Sequence, residues 1–175
     1  FVEIQETHMG IPGMGTLRRW RREAPPEFSF AMLGPREIGQ EGFRAGKVVD
    51  AALKNLADVG KELEAKIAVF VSPADFAPTR ANKAAVKEFL PAVRKRFDRV
   101  VWEAPTTWDA DEAEDLAEAG KAIAARDPLL AGLSKRPVAY YRLPGPAGHK
   151  SRYEDPAIEK LADIAGGGKT QDATY

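Results

Sequence analysis

Two apolar runs in this chain close on a charged residue: Val100-Val-Trp-Glu103 and Val138-Ala-Tyr-Tyr-Arg142. That pattern belongs to buried strands that deliver a polar group to their C-terminal ends, where open and closed parallel sheets bind ligands. A carboxylate such as Glu103 in that place suits a general acid, a general base or a metal ligand. A guanidinium such as Arg142 needs a partner there, and a carboxylate or phosphate of a ligand would suit it. Tyr141 ends the same run and joins Arg142 as a ligand contact. Asp127, before Pro128, offers a second rim carboxylate, although Asp-Pro is also a turn and helix-start signal. Glu3 and Gln5 lie two apart, so on a strand they share a face, which in a barrel is the lumen. His149 and Arg152, with Lys150 and Tyr153, follow the Arg142 strand in a Gly/Pro-bearing loop, the position from which barrel loops cover a ligand. Glu103 and Asp127 are therefore the candidate catalytic residues. Glu3, Gln5, Tyr141, Arg142, His149 and Arg152 are the candidate ligand contacts, and the ligand is small and either anionic or hydroxylated. Each has a plain structural counterpart: a solvated strand end for Glu3 and Gln5, an exposed basic loop for His149 and Arg152, and an internal ion pair of Arg142 with Glu3 or Glu103.

Other chemistries find little purchase. The 175 residues contain no cysteine, which excludes disulfides, thiolate nucleophiles and Cys-ligated zinc and fits a reducing cytoplasm, the expected location. His8 joined to Glu3 and Glu103 is the one metal set to weigh, but two distant histidines give no recognised ligand spacing, so a divalent metal stays a minor alternative and no cofactor is required. Lys plus Arg and Asp plus Glu both total 26, which removes the global electrostatic argument for nucleic acid or an anionic membrane. Arg18, Arg19, Arg21 and Arg22 around Trp20 read as the solvated face of a helix whose tryptophan packs inward. Gly166-Gly-Gly-Lys-Thr170 lacks the spacing of a phosphate loop and follows a helix, so it reads as a helix exit. Ile67-Ala-Val-Phe-Val71 is far too short to span a bilayer. Oligomeric state leaves no mark in the sequence.

The elements that must position these residues alternate strand with helix. Strands are expected at 1–5, around Phe28, Phe30 and Met32, and at 67–71, 100–103, 122–125 and 137–143. Between them, a short helix capped by Thr16 places Leu17 and Trp20 on one face, and 34–46 reads as a long loop. Val49, Leu53, Leu56, Val59 and Leu63 stand at helical spacing. Thr79 and Asp109 cap two further helices, the first with Pro91 as a kink, and Asp155-Pro156 opens the last. Strands separated by helices need crossovers, so the sheet is mainly parallel with helices outside it. A complete eight-unit barrel needs about 250 residues. Six or seven strands in one domain, 1–175, therefore make a short or incomplete (β/α) barrel. With no initiator Met and a strand already under way at Phe1, sequence is expected to precede it.

Taken in order, Glu3-Ile-Gln5 and Thr7, Leu17-Arg-Arg-Trp20, Pro26-Glu-Phe-Ser-Phe-Ala31, Val101-Trp-Glu103, Asp127-Pro128 and Ala139-Tyr-Tyr-Arg-Leu143 resemble the YecE-like family, the domain of unknown function seventy-two. The resemblance runs over nearly the whole chain. It implies a TIM-barrel-like fold, with a strand before Phe1 and an Asn-bearing strand near or beyond Tyr175, and it supplies no reaction, because the family has no established one. Two departures stand out. Where similar sequences often read Trp-Glu-Pro-Arg-Gly-x-Trp, this one has Trp102-Glu-Ala-Pro-Thr-Thr-Trp108, with Pro105 in the arginine's place. Where they often read Tyr-Phe-Arg-Leu-His-Gly, it has Tyr140-Tyr-Arg-Leu-Pro-Gly145, with Pro144 in the histidine's. A hydrolytic or acid-base barrel enzyme is thus one expectation, and a non-catalytic barrel binding a ligand or nucleic acid is the other.

Overall fold

A computed structural model describes residues 1–146, 151–167 and 173–175, and among them seven strands and eight helices follow one another. Strand β1 (Val2–Ile4) leads through α1 (Glu6–Met9) and α2 (Met14–Glu23) to β2 (Phe30–Leu33), and α3 (Arg36–Gln40) and α4 (Lys47–Leu63) lead on to β3 (Ile67–Val71). Single helices α5 (Arg80–Val93), α6 (Ala110–Ala119) and α7 (Pro128–Ala131) then alternate with β4 (Arg99–Glu103), β5 (Ile123–Arg126) and β6 (Val138–Tyr141). Helix α8 (Asp155–Gly167) precedes β7 (Ala173–Thr174). All neighbouring strands are parallel, and their order in the sheet is their order in the chain. Stepping the same way at every crossover curls the sheet, giving an incomplete TIM-type barrel with helices outside it. No helix among the described residues is long and apolar enough to cross a membrane.

Strand alternation divides the core in two. One set of side chains (Ala31 and Leu33, Ile67 and Val69, Val101, Tyr140) packs on the concave side, bordered by Val71, Ile123, Ala125 and Tyr175. The intervening residues Met32, Ala68, Phe70, Val100, Trp102 and Ala124 pack outward against the helices. Helix α4 covers its share with Val49, Leu53, Leu56, Val59 and Leu63, the stripe expected from their spacing. Thr79 and Asp109 cap as expected, accepting from the amides of Asn82 and Glu112 at 3.2 and 2.9 Å.

Several boundaries fall elsewhere than expected. Helix α2 starts at Met14 with Gly13 as its N-cap, so Thr16 lies inside the first turn rather than before it. The segment 34–46 contains α3, whose Gly39 lies so close to β3 that an added Cβ would stand 2.7 Å from the carbonyl oxygen of Val71. Strand β1 ends at Ile4, and Gln5 takes a helical conformation (φ −86°, ψ −23°) as the N-cap residue of α1. The alternation that pairs Glu3 with Gln5 therefore stops one residue short. Gly168 to Thr170 lie outside the described residues.

Candidate functional site

Three strands bring charge to one end of the barrel. Glu3 of β1 stands beside Ala31 in register and Glu103 of β4 beside Val71, so both carboxylates are on the concave face. Arg142 follows β6 two residues after the concave Tyr140, and its amide continues the ladder by donating to the carbonyl of Arg126 at 3.0 Å. From there its guanidinium donates to Glu3 Oε1 at 2.8 Å through one terminal nitrogen and to Glu103 Oε2 through the other. Tyr140 completes the cluster by donating its hydroxyl to Glu3 Oε2 at 2.9 Å. Both oxygens of Glu3 are thus engaged. Among the described residues Arg142 is the one hydrogen-bond partner of the Glu103 side chain.

Side-chain exposures of 14, 20 and 24% for Glu3, Arg142 and Glu103 keep the cluster within reach of solvent. Burial, then the charge of Glu3 and the hydrogen bond to it, push the Tyr140 phenol far above its ordinary pKa, so it remains a donor. Among the described residues the cluster sets two carboxylates against one guanidinium.

The remaining candidates divide by face. Asp127 follows β5 and caps α7, its Oδ1 accepting from the Leu129 amide at 2.8 Å. Tyr141, adjacent to Tyr140, takes the opposite face of the strand, where its hydroxyl accepts from the Ser134 amide at 3.0 Å. Gln5 is exposed at the start of α1. Arg152 is exposed, nearby Tyr153 accepts from the Gly145 amide at 2.8 Å, and His149 and Lys150 lie outside the described residues. His8 donates through Nδ1 to the Gly34 carbonyl oxygen at 2.7 Å, which ties α1 to the end of β2. Among the described residues no three acidic or histidine side chains are grouped to hold a metal.

Tyr140 escaped the sequence reading. The signal was present, because residues two apart on a strand share a face and Tyr140 is two before Arg142. Arg126 is the second omission. It faces the helices from β5 and is 8% exposed, with nitrogens 3.0 Å from Glu114 and 2.9 Å from Asp111. Burial works against its charge, but the hydrogen bonds to Asp111 and Glu114 outweigh that and raise its pKa. This ion pair fastens α6 to the sheet, behind the cluster and outside the lumen.

The sequence matches the family described as "Protein of unknown function DUF72" over residues 1–172. No curated protein matches it. Among solved structures, a DUF72 family protein from Enterococcus faecalis V583 superposes with a TM-score of 0.71 at 14% identity, covering 99% of this chain and 75% of that one. A DUF72 family protein from Thermotoga maritima MSB8 gives a TM-score of 0.69 at 19% identity, with the same coverage of 99 and 75%. At those identities the likeness is one of fold. With the family match spanning nearly the full sequence, the chain belongs to the DUF72 family.

Proposed function

We propose that this DUF72 chain binds a small, uncharged, hydroxylated ligand at the C-terminal ends of its strands, and that Glu103 exchanges a proton with it in a hydrolytic or other acid-base reaction. The observation that carries this is the double use of Arg142, which donates to Glu3 and Glu103 together. A guanidinium so occupied has little left for an anionic ligand, and the two carboxylates repel one. Hydroxyl groups are the complementary chemistry, because a carboxylate oxygen accepts from them. Glu3 has both oxygens engaged, Asp127 and Glu103 one each, but Asp127 is spent on a helix cap whereas Glu103 stands in the Arg142 cluster, which favours Glu103 as the carboxylate that accepts a hydroxyl or water proton. Arg142 then holds Glu103 in place, and Tyr140 holds Glu3.

The test is saturation-transfer NMR of the full chain and its Glu103→Gln variant with glycerol, myo-inositol and glucose, together with hydrolysis of nitrophenyl glycosides. Binding of a polyol that weakens in the variant, with the variant still folded and its melting temperature lowered less than that of Arg142→Gln, is the expected result. Binding confined to phosphate or small carboxylates would overturn it.

A second reading, a non-catalytic barrel that binds a ligand or nucleic acid, is favoured by Pro105 and Pro144, which stand where similar sequences carry Arg and His. It predicts that Glu103→Gln changes affinity and that no substrate is turned over by either form.

A further inference from the structure

At the opposite end of the barrel, where the helices end and the strands begin, there is a recess of about 510 Å³ lined by Lys66, Arg94, Asp98, Arg99 and Lys121, with Val100, Ala122, Ile123 and Val138 as its apolar part. Its size is that of an ordinary small-ligand pocket. Four cations face one carboxylate. Lys66 and Lys121 are exposed, and their ammonium groups make no hydrogen bond or ion pair among the described residues. Arg94 spends one nitrogen on the Phe97 carbonyl at 2.7 Å, and the Arg99 guanidinium lies over the Tyr175 ring at 5.4 Å. Neither has a carboxylate within ion-pair distance among the described residues. By contrast, Arg126, Arg136 and Arg142 each have at least two carboxylate partners.

Helix ends offer a plain explanation for some of this charge. Lys66 follows α4, Arg94 is the C-cap of α5, and Lys121 follows the Gly120 C-cap of α6. Each helix C-terminus carries about half a negative charge, roughly −1.5 for three. The side chains supply twice that in the positive sense, so the recess stays positive after the helix ends are offset. Lys121 is also held at φ 57°, a left-handed conformation that costs a lysine about 1 kcal/mol relative to glycine. That conformation closes α6, with the Ala122 amide donating to Ala117 at 2.8 Å, and it keeps a cation at the mouth where glycine would serve the turn better. The adjoining recess, which shares Lys66 and Arg99, adds Glu27 and Glu64 and so is less suited to an anion.

We propose that the recess is a second, non-catalytic binding site for a phosphate-bearing small molecule of nucleotide size. Its phosphate lies among Lys66, Arg94, Arg99 and Lys121, and its less polar part covers Ile123 and Val138. Barrel chemistry is run from the other rim, so occupancy here stabilises the junctions of α4, α5 and α6 with the sheet and does not supply reacting groups.

The experiment titrates the full chain with AMP and with pyrophosphate at low salt, by calorimetry and amide chemical shifts, and compares Lys66→Gln and Lys121→Gln. Both lysines are exposed, so circular dichroism melts of the variants should match the parent. The expected result is saturable binding of both probes with shifts at residues 66, 98–100 and 121–123, and an affinity loss of about tenfold in each variant. Equal affinity in parent and variants overturns the site. A single-stranded oligonucleotide that binds in preference to AMP overturns the small-molecule assignment in favour of nucleic acid. Polyol binding at the other rim is unaffected by either lysine variant, so this proposal and the one for Glu103 fail separately.

Discussion

Arg142 donates to Glu3 at 2.8 Å although the two are 139 positions apart, which joins the end of β6 to β1 across the concave face of the sheet. The same guanidinium also takes Glu103, so one cation holds two carboxylates that would otherwise repel. Replacing it with a neutral side chain leaves both acids half-buried and uncompensated. Removing one partner of a fully buried pair costs about 3–5 kcal/mol, and partial exposure here reduces that to about 2–3 for Arg142→Gln. Urea denaturation measures it. A cost below about 0.5 kcal/mol would place the cluster with ordinary surface ion pairs.

Tyr140 gives a pH dependence of definite sign. Its pKa is raised in the folded protein above the ordinary value of 10.0, chiefly by burial and then by Glu3. Above that ordinary value the unfolded chain releases the phenolic proton while the folded chain keeps it. Stability from this group is therefore complete below pH 10 and falls by about 1.4 kcal/mol per pH unit above it. Tyr140→Phe should show a shallower alkaline decline by that amount in denaturation series run between pH 9 and 11. Parallel declines in the two proteins would show that the phenol is neither buried nor held by Glu3 in the folded protein.

Arg126 has two carboxylate partners whose burial differs greatly: Glu114 is 6% exposed and Asp111 is 73% exposed. Exposed pairs are worth about 0–1 kcal/mol, whereas removal of a buried partner costs about 3–5. Glu114→Gln should therefore destabilise several times more than Asp111→Asn in chemical denaturation. Similar losses would mean that water reaches the Arg126 guanidinium.

How far the sequence disclosed this arrangement depends on the range of the interaction. Glu103 and Arg142 were readable because a charge at the end of an apolar run is a local pattern, and Thr79 and Asp109 because a cap acts over three residues. The five-residue α3 was hidden in 34–46 because it is too short to show a period and includes Gly39. Gln5 was misplaced because nothing in Glu3-Ile-Gln5 marks the end of a three-residue strand. Tyr141 is adjacent to Arg142 and so faces away from it, whereas alternation points to Tyr140, two residues before. The partnership of Glu3 with Arg142 could be offered only as one of two pairings, since it depends on the curl of the whole sheet. Lys66, Arg94, Arg99 and Lys121 are scattered over several junctions, and only the common level of the strand starts gathers them.

Gly39 tests how α3 frames the rim. In an exposed helix interior, Gly→Ala is stabilising by up to about 1 kcal/mol. Here the new methyl meets the Val71 carbonyl oxygen at 2.7 Å, and Val71 is the register partner of Glu103. Overpacking of this kind costs about 1–3 kcal/mol, so the sign should reverse and Gly39→Ala should lower the denaturation midpoint. The amide resonance of Glu103 should shift with it. A stabilised variant would mean that α3 moves freely off β3.

Asp127 and Glu103 were equal candidates as carboxylates at strand ends, and their surroundings separate them. Asp127 caps α7 through the Leu129 amide, so Asp127→Ala should cost about 1 kcal/mol, the usual value of a lost N-cap, and leave polyol affinity unchanged. Glu103→Gln keeps the shape of the side chain but weakens its hold on Arg142 and its capacity to take a proton. It should reduce binding or turnover while shifting stability less than Arg142→Gln does, because Glu3 still compensates the cation. Running both variants through the same binding and melting measurements decides between them. Loss of ligand in Asp127→Ala with full retention in Glu103→Gln would move the proton-exchanging role from β4 to β5 and leave the Glu3, Arg142 and Glu103 cluster as a structural tie across the barrel.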